Sequence, residues 1–134
     1  MGSKILFVDD ERCVRDAFVL AHDDDFDIVT AAGAVEALRL LELKNTVAVV
    51  VTDYKMPRLN GIELARIIRR QYPEKRIILH TACLSISNVE EWTRDIRVDA
   101  FLDKVDPDPG AIGKVRTVIK SSLREYKKNE QYRG

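Results

Sequence analysis

Cysteine is scarce: Cys13 and Cys83 are the two thiols among 134 residues. That excludes a disulfide-built scaffold and points to a reducing, cytoplasmic setting. Neither cysteine has metal-ligand spacing with His22 or His80, so the sequence does not indicate a zinc site. Long apolar runs are also missing, and none approaches the ~20 residues a membrane span needs. The four apolar residues after Lys4 stop at Asp9, too few for a signal peptide. Glycine is sparse, with 6 residues, and no G-x-G-x-x-G or Walker A loop follows the first apolar run. Asp9 and Asp10 stand there instead and would repel a phosphate lacking a metal, which weighs against a nucleotide or flavin binder. Net charge is zero, so direct nucleic-acid binding is not expected. The zero conceals an asymmetry: residues 1–113 carry a net −5 and residues 114–134 a net +5. A basic last helix of this kind reads as a solvated face.

What is present is a chain able to fold. Hydrophobic residues make up 46% and charged residues 33%, a globular composition, and 134 residues suit one domain. Apolar runs and helical periodicities alternate. Lys4–Val8, Phe26–Ala31, Val47–Thr52, Arg76–His80 and Ala100–Asp103 read as strands. Arg12–His22 (Val14, Ala17, Phe18 and Ala21 inward), Ala34–Leu43, Gly61–Gln71, Asn88–Arg97 and Ala111 to about Lys128 read as helices. The unbroken VAVVVT run suits the centre of a sheet covered on both faces. Five βα units predict an α/β fold, a doubly wound five-stranded parallel sheet with five helices.

In such a sheet, ligands bind beyond the carboxyl ends of the strands. The first strand ends in Asp9, Asp10 and Glu11, the third in Asp53, the fourth in Thr81, and the fifth in Asp103 and Lys104. Carboxylates held together repel unless neutralised. Mg²⁺, or Mn²⁺, with oxygen ligands does that, and a lysine opposite can balance charge or clamp a phosphoryl oxygen. The set reads as a site where a carboxylate accepts a phosphoryl group with metal help.

These residues resemble the receiver domain of a two-component response regulator, a fold of flavodoxin-like topology. The resemblance rests on Asp9-Asp10, on Asp53 followed by Met56-Pro57-Arg58-Leu59-Asn60-Gly61, on Thr81-Ala82, and on Lys104 with Phe101 three residues before it. It covers residues 4–125 and leaves 126–134 as a polar basic tail or linker. It implies Asp53 as phosphoacceptor, Asp10 as a direct metal ligand, Asp9 as a ligand through water, and the Lys55 carbonyl as a further ligand. Thr81 and Lys104 would grip the phosphoryl oxygens, and Thr81 with Phe101 would form the switch. The implied partners are a sensor histidine kinase or phosphotransfer protein and an effector the sequence does not name. A phosphorylation-dependent homodimer would use the face of helix four, strand five and helix five. The domain would catalyse only its own phosphorylation and dephosphorylation.

Two departures stand out: Val105 replaces the proline common after the lysine, and Arg97 replaces a glycine common at the end of helix four. Without that proline, the Lys104–Val105 bond should be trans. Asp106-Pro107 or Asp108-Pro109 should open the last helix, with proline in its first position. His80 and Trp92 read as packed residues. Two alternatives remain. A haloacid-dehalogenase-like hydrolase needs an acid where Lys55 stands, and a degenerate receiver would lack the complete acidic set. The chain reads as a stand-alone receiver or one cut at its basic tail.

Overall fold

The computed structural model describes residues 3–43, 46–82 and 84–133, so Cys83 and Gly134 lie outside the described residues. Five strands and five helices alternate along the chain: β1 (Lys4–Val8), α1 (Arg12–His22), β2 (Asp27–Ala31), α2 (Ala34–Leu43), β3 (Val47–Thr52), α3 (Gly61–Gln71), β4 (Arg76–Thr81), α4 (Ile86–Trp92), β5 (Ala100–Asp103) and α5 (Ala111–Arg133). All strand pairings are parallel, in the order β2-β1-β3-β4-β5. This is the expected α/β sheet. All six residues of β3 are buried, as its uninterrupted apolar run requires of a central strand flanked by helices on both faces.

Alternate residues of the strands feed two cores. Leu6, Val8, Val50, Ile77 and Leu79 pack with α2, α3 and Trp92, whereas Ile5, Phe7, Val49, Val51 and Ile78 pack with α1 and α5. The α3 start is fixed by a capping box: Asn60 accepts from the Ile62 and Glu63 N–H groups, and Glu63 accepts from the Asn60 N–H. At the opposite end of the sheet, the side chain of Asp99 is 3% exposed. It accepts from the Ile77 N–H at 2.7 Å and from Arg69 at 2.5 Å, and pairs with Arg76 and Arg97. No helix among the described residues is long and apolar enough to cross a membrane.

Helix α4, the way α5 opens and the end of α5 differ from expectation. Helix α4 occupies Ile86–Trp92 rather than Asn88–Arg97, because Ser85 caps it by accepting from the Asn88 N–H and Thr93 folds its hydroxyl back onto the Val89 carbonyl. Helix α5 starts at Ala111, and neither Pro107 nor Pro109 opens it. Asp106 and Asp108 accept from the N–H two residues on, in consecutive Asx turns, and Gly110 supplies the first helical carbonyl. At its other end α5 runs to Arg133, past the expected Lys128, and buries Tyr126. On α1 the buried residues are Phe18 and His22, with Val14 and Ala21 half-buried and Ala17 exposed.

Candidate functional site

Each candidate residue sits where a strand gives out. Asp9 follows β1, and its Oδ1 accepts from the Glu11 N–H at 2.9 Å, which turns the chain into α1. Asp53 follows β3, held in the sheet by its N–H donating to the Val8 carbonyl. Its Oδ1 accepts from the Tyr54 N–H at 2.8 Å. Thr81 closes β4 and Lys104 follows β5; the Lys104 N–H donates to the Thr81 carbonyl at 3.0 Å. Gly61 is required here. A Cβ on it would lie 2.1 Å from the Asp53 carbonyl oxygen, so only glycine lets α3 begin this close to the end of β3.

These strand ends converge. Oxygens of Asp9, Asp10 and Asp53 lie within 4.8 Å of one another. Lys104 Nζ stands 2.8 Å from Asp9 Oδ2 and 2.9 Å from Asp53 Oδ2. Asp9 is wholly buried, Asp53 is 6% exposed and Asp10 is exposed. Burial alone would lower the Lys104 pKa; the two carboxylates outweigh it and hold the ammonium above the ordinary lysine value. Asp9 Oδ2 is buried and faces Lys104 as an ion pair without an aligned hydrogen bond. It therefore keeps lone-pair capacity that a hard cation, directly or through water, can use. The donor set of clustered carboxylate oxygens fits Mg²⁺ or Mn²⁺. A cavity of about 360 Å³ opens over this cluster, walled by Asp10, Asp53, Lys55, Thr81 and Lys104.

Phe101 lies on β5, opposite Leu79 of β4 and two positions before Asp103, which faces Thr81. It is half-buried and packs against the core on the α2–α4 side. His80 points to the other face, 9% exposed, with its ring 5.6 Å from that of Phe7. Burial first, and then the nearby Lys104 charge, lower its pKa to about 4. Trp92 is 6% exposed and stacks on Tyr54 at 4.4 Å. Both are packed residues, as the sequence predicts. The described residues contain no cis peptide bond, so Lys104–Val105 is trans. Sequence reasoning missed the role of Tyr54 as donor to Asp53, and also Asp99. The only sequence trace of the first is an aromatic directly after the acidic strand end.

Comparison with known proteins accords with this geometry. The family model of the response regulator receiver domain matches residues 5–110. Response regulator MprA of Mycobacterium sp. strain KMS is 32% identical over 131 residues, covering 97% of this chain and 54% of that protein. The hydrogenase transcriptional regulatory protein HoxA of Cupriavidus necator is 39% identical over 70 residues, 52% of this chain and 14% of HoxA. The chain thus spans about half the length of MprA. Among solved structures, a receiver domain protein of Clostridium thermocellum aligns with a TM-score of 0.81 at 26% identity, covering 93% of this chain and 97% of that one. Response regulator TrrA of Thermotoga maritima, in complex with Mg²⁺ and beryllium fluoride, aligns with a TM-score of 0.69 at 29% identity, covering 87% of this chain and 98% of that one. With the strand-end acids, threonine and lysine gathered on one edge of such a sheet, the chain belongs to the response regulator receiver domains, the phosphorylation-dependent signalling switches of two-component systems.

Proposed function

We propose that Asp53 is the phosphoacceptor, charged by a histidine kinase or phosphotransfer protein, and that the product changes the packing around Thr81 and Phe101. The observation that carries this reading is the shared ion pair: one ammonium, Lys104, bridges two buried carboxylates, Asp9 and Asp53. An Asp53 oxygen would attack phosphorus as the P–N bond to the donor imidazole breaks. The imidazole leaves with the bonding pair and takes a proton from water. Asp10, Asp53 and the Lys55 carbonyl would hold Mg²⁺, with Asp9 acting through water, and the ion would screen charge on the phosphoryl oxygens.

Lys104 would leave its place against Asp53 Oδ2 to grip a phosphoryl oxygen, and Thr81 would donate its hydroxyl to another. Drawing Thr81 inward vacates space that Phe101 can enter, which shifts a population between two packings. Residues 4–125 would make up this unit. The effector lies outside the reading, and the face of α4, β5 and α5 is where we place its contact or a phosphorylated homodimer. Incubation with acetyl phosphate and Mg²⁺ should add one phosphoryl group by intact mass, and Asp53→Asn should abolish it. Equal labelling of Asp53→Asn would overturn the assignment.

A further inference from the structure

We infer that the ring stack between Tyr54 and Trp92 fastens helix α4 to the acceptor, so that Tyr54 is a positioning residue carrying the state of Asp53 to α4. This rests on the reading of Asp53 as acceptor. Helix α4 is the shortest helix, seven residues, and Trp92 is the one residue within it that is buried. Ile86, at its start, is 81% exposed. The Ser85 cap and the Thr93 hydroxyl close the helix upon itself. Its deep hold on the domain is therefore the indole of Trp92, stacked on Tyr54 with centroids 4.4 Å apart and planes 26° from parallel. Such an aromatic pair adds to the hold beyond the area it buries.

The other end of the link is equally specific. Tyr54 is bound to the acceptor through its N–H, which donates to Asp53 Oδ1 at 2.8 Å. Its carbonyl accepts from the Gly61 N–H at 2.7 Å. The missing Cβ of Gly61 packs α3 directly onto the Asp53–Tyr54 backbone. Such a backbone has little slack to absorb a change at Asp53. Phosphorylation supplies one, because converting an ionised carboxylate into an acyl phosphate replaces a charged hydrogen-bond acceptor with a weaker neutral carbonyl oxygen. The Tyr54 N–H bond then relaxes, the ring moves with its backbone, and the stack on Trp92 changes register. The route leaves from the end of β3, so it is separate from the Thr81–Phe101 pair on β4 and β5.

Hydrogen exchange of α4, read by mass spectrometry with and without acetyl phosphate and Mg²⁺, tests the link. Intact mass measured on the same samples gives the extent of phosphorylation. In the wild type and in Tyr54→Phe, which keeps the ring, α4 protection should differ between states by about fivefold or more, the lower end for coupled sites. In Tyr54→Leu that difference should be lost at equal phosphorylation. Trp92→Leu, which cuts the stack from the helix side, should lose it too and serves if Tyr54→Leu does not fold. A stack that only packs the core would change stability but leave the difference between states intact. Variants that are phosphorylated and keep the full α4 response overturn the inference alone. A wild type that takes no phosphoryl group overturns the reading of the site and the inference with it.

Discussion

Replacing Lys104 by methionine keeps an unbranched side chain one atom shorter and removes its charge. The ammonium lies within 3 Å of both Asp9 and Asp53, and those carboxylates are 0% and 6% exposed. Removing one partner from a buried ion pair destabilises by about 3–5 kcal/mol. The loss at pH 7 should therefore be a large share of the roughly 5–15 kcal/mol of a typical domain.

Because the lysine occupies the charge that a cation would balance, the variant should also bind Mg²⁺ at least about tenfold more tightly, a difference worth 1.4 kcal/mol, and recover stability as Mg²⁺ is added. Urea unfolding of both proteins in EDTA at pH 7, followed by a Mg²⁺ titration, measures both effects. Equal stability at pH 7 with unchanged Mg²⁺ affinity would refute the claim that Lys104 neutralises the acidic cluster.

Two further outcomes are expected. His80, with its pKa lowered from 6.5 to about 4, remains neutral in the folded state while the unfolded chain takes up a proton. The stability from keeping it neutral is full above pH 6.5 and is lost as pH falls toward 4, about 3 kcal/mol in all; His80→Phe should flatten that slope in EDTA, and parallel urea-midpoint profiles would reject the idea. Gly61→Ala should destabilise by about 3 kcal/mol, because the 2.1 Å overlap is with backbone that must move. It should also slow phosphorylation of Asp53 by acetyl phosphate, and a wild-type rate by intact mass would show that the Asp53 carbonyl had not shifted.

Much of this molecule was legible because its strands are short, apolar and end in charge. VAVVVT could only be central, and the acids after β1 and β3 follow directly from where apolar sequence stops. The Asn60–Glu63 capping box also stands in the sequence, three residues apart. What escaped notice was set by tertiary contact. Asp99 looks like an ordinary acid before a strand until β4 and α3 bring Arg76 and Arg69 to it. Helix α5 starts at Ala111 as its periodicity marks, but no proline opens it, because Asp-Pro serves as an N-cap and N1 pair or as an Asx turn with the same residues, and here the turns prevail. Similarly, α4 begins earlier than its apolar periodicity marks, because Ser85, which caps it, lies outside that periodicity.

The acidic cluster and its lysine are drawn from Asp9 at one end and Lys104 at the other, and β1 is paired on both sides, with β2 and with β3. Joining Lys4 to Val47 closes a loop that spans the first two helices, and the β4 and β5 ends must then be added before Thr81 and Lys104 face Asp53. Such non-local pairings carry the entropy of loop closure before any contact rewards it. No fragment of the sheet contains the cluster, so it assembles only as folding completes. On the proposed reading of Asp53, a chain still on its way to the native state holds that aspartate without its neighbours and is mute as a signal acceptor; competence to receive a signal is thereby a proofread of the whole fold.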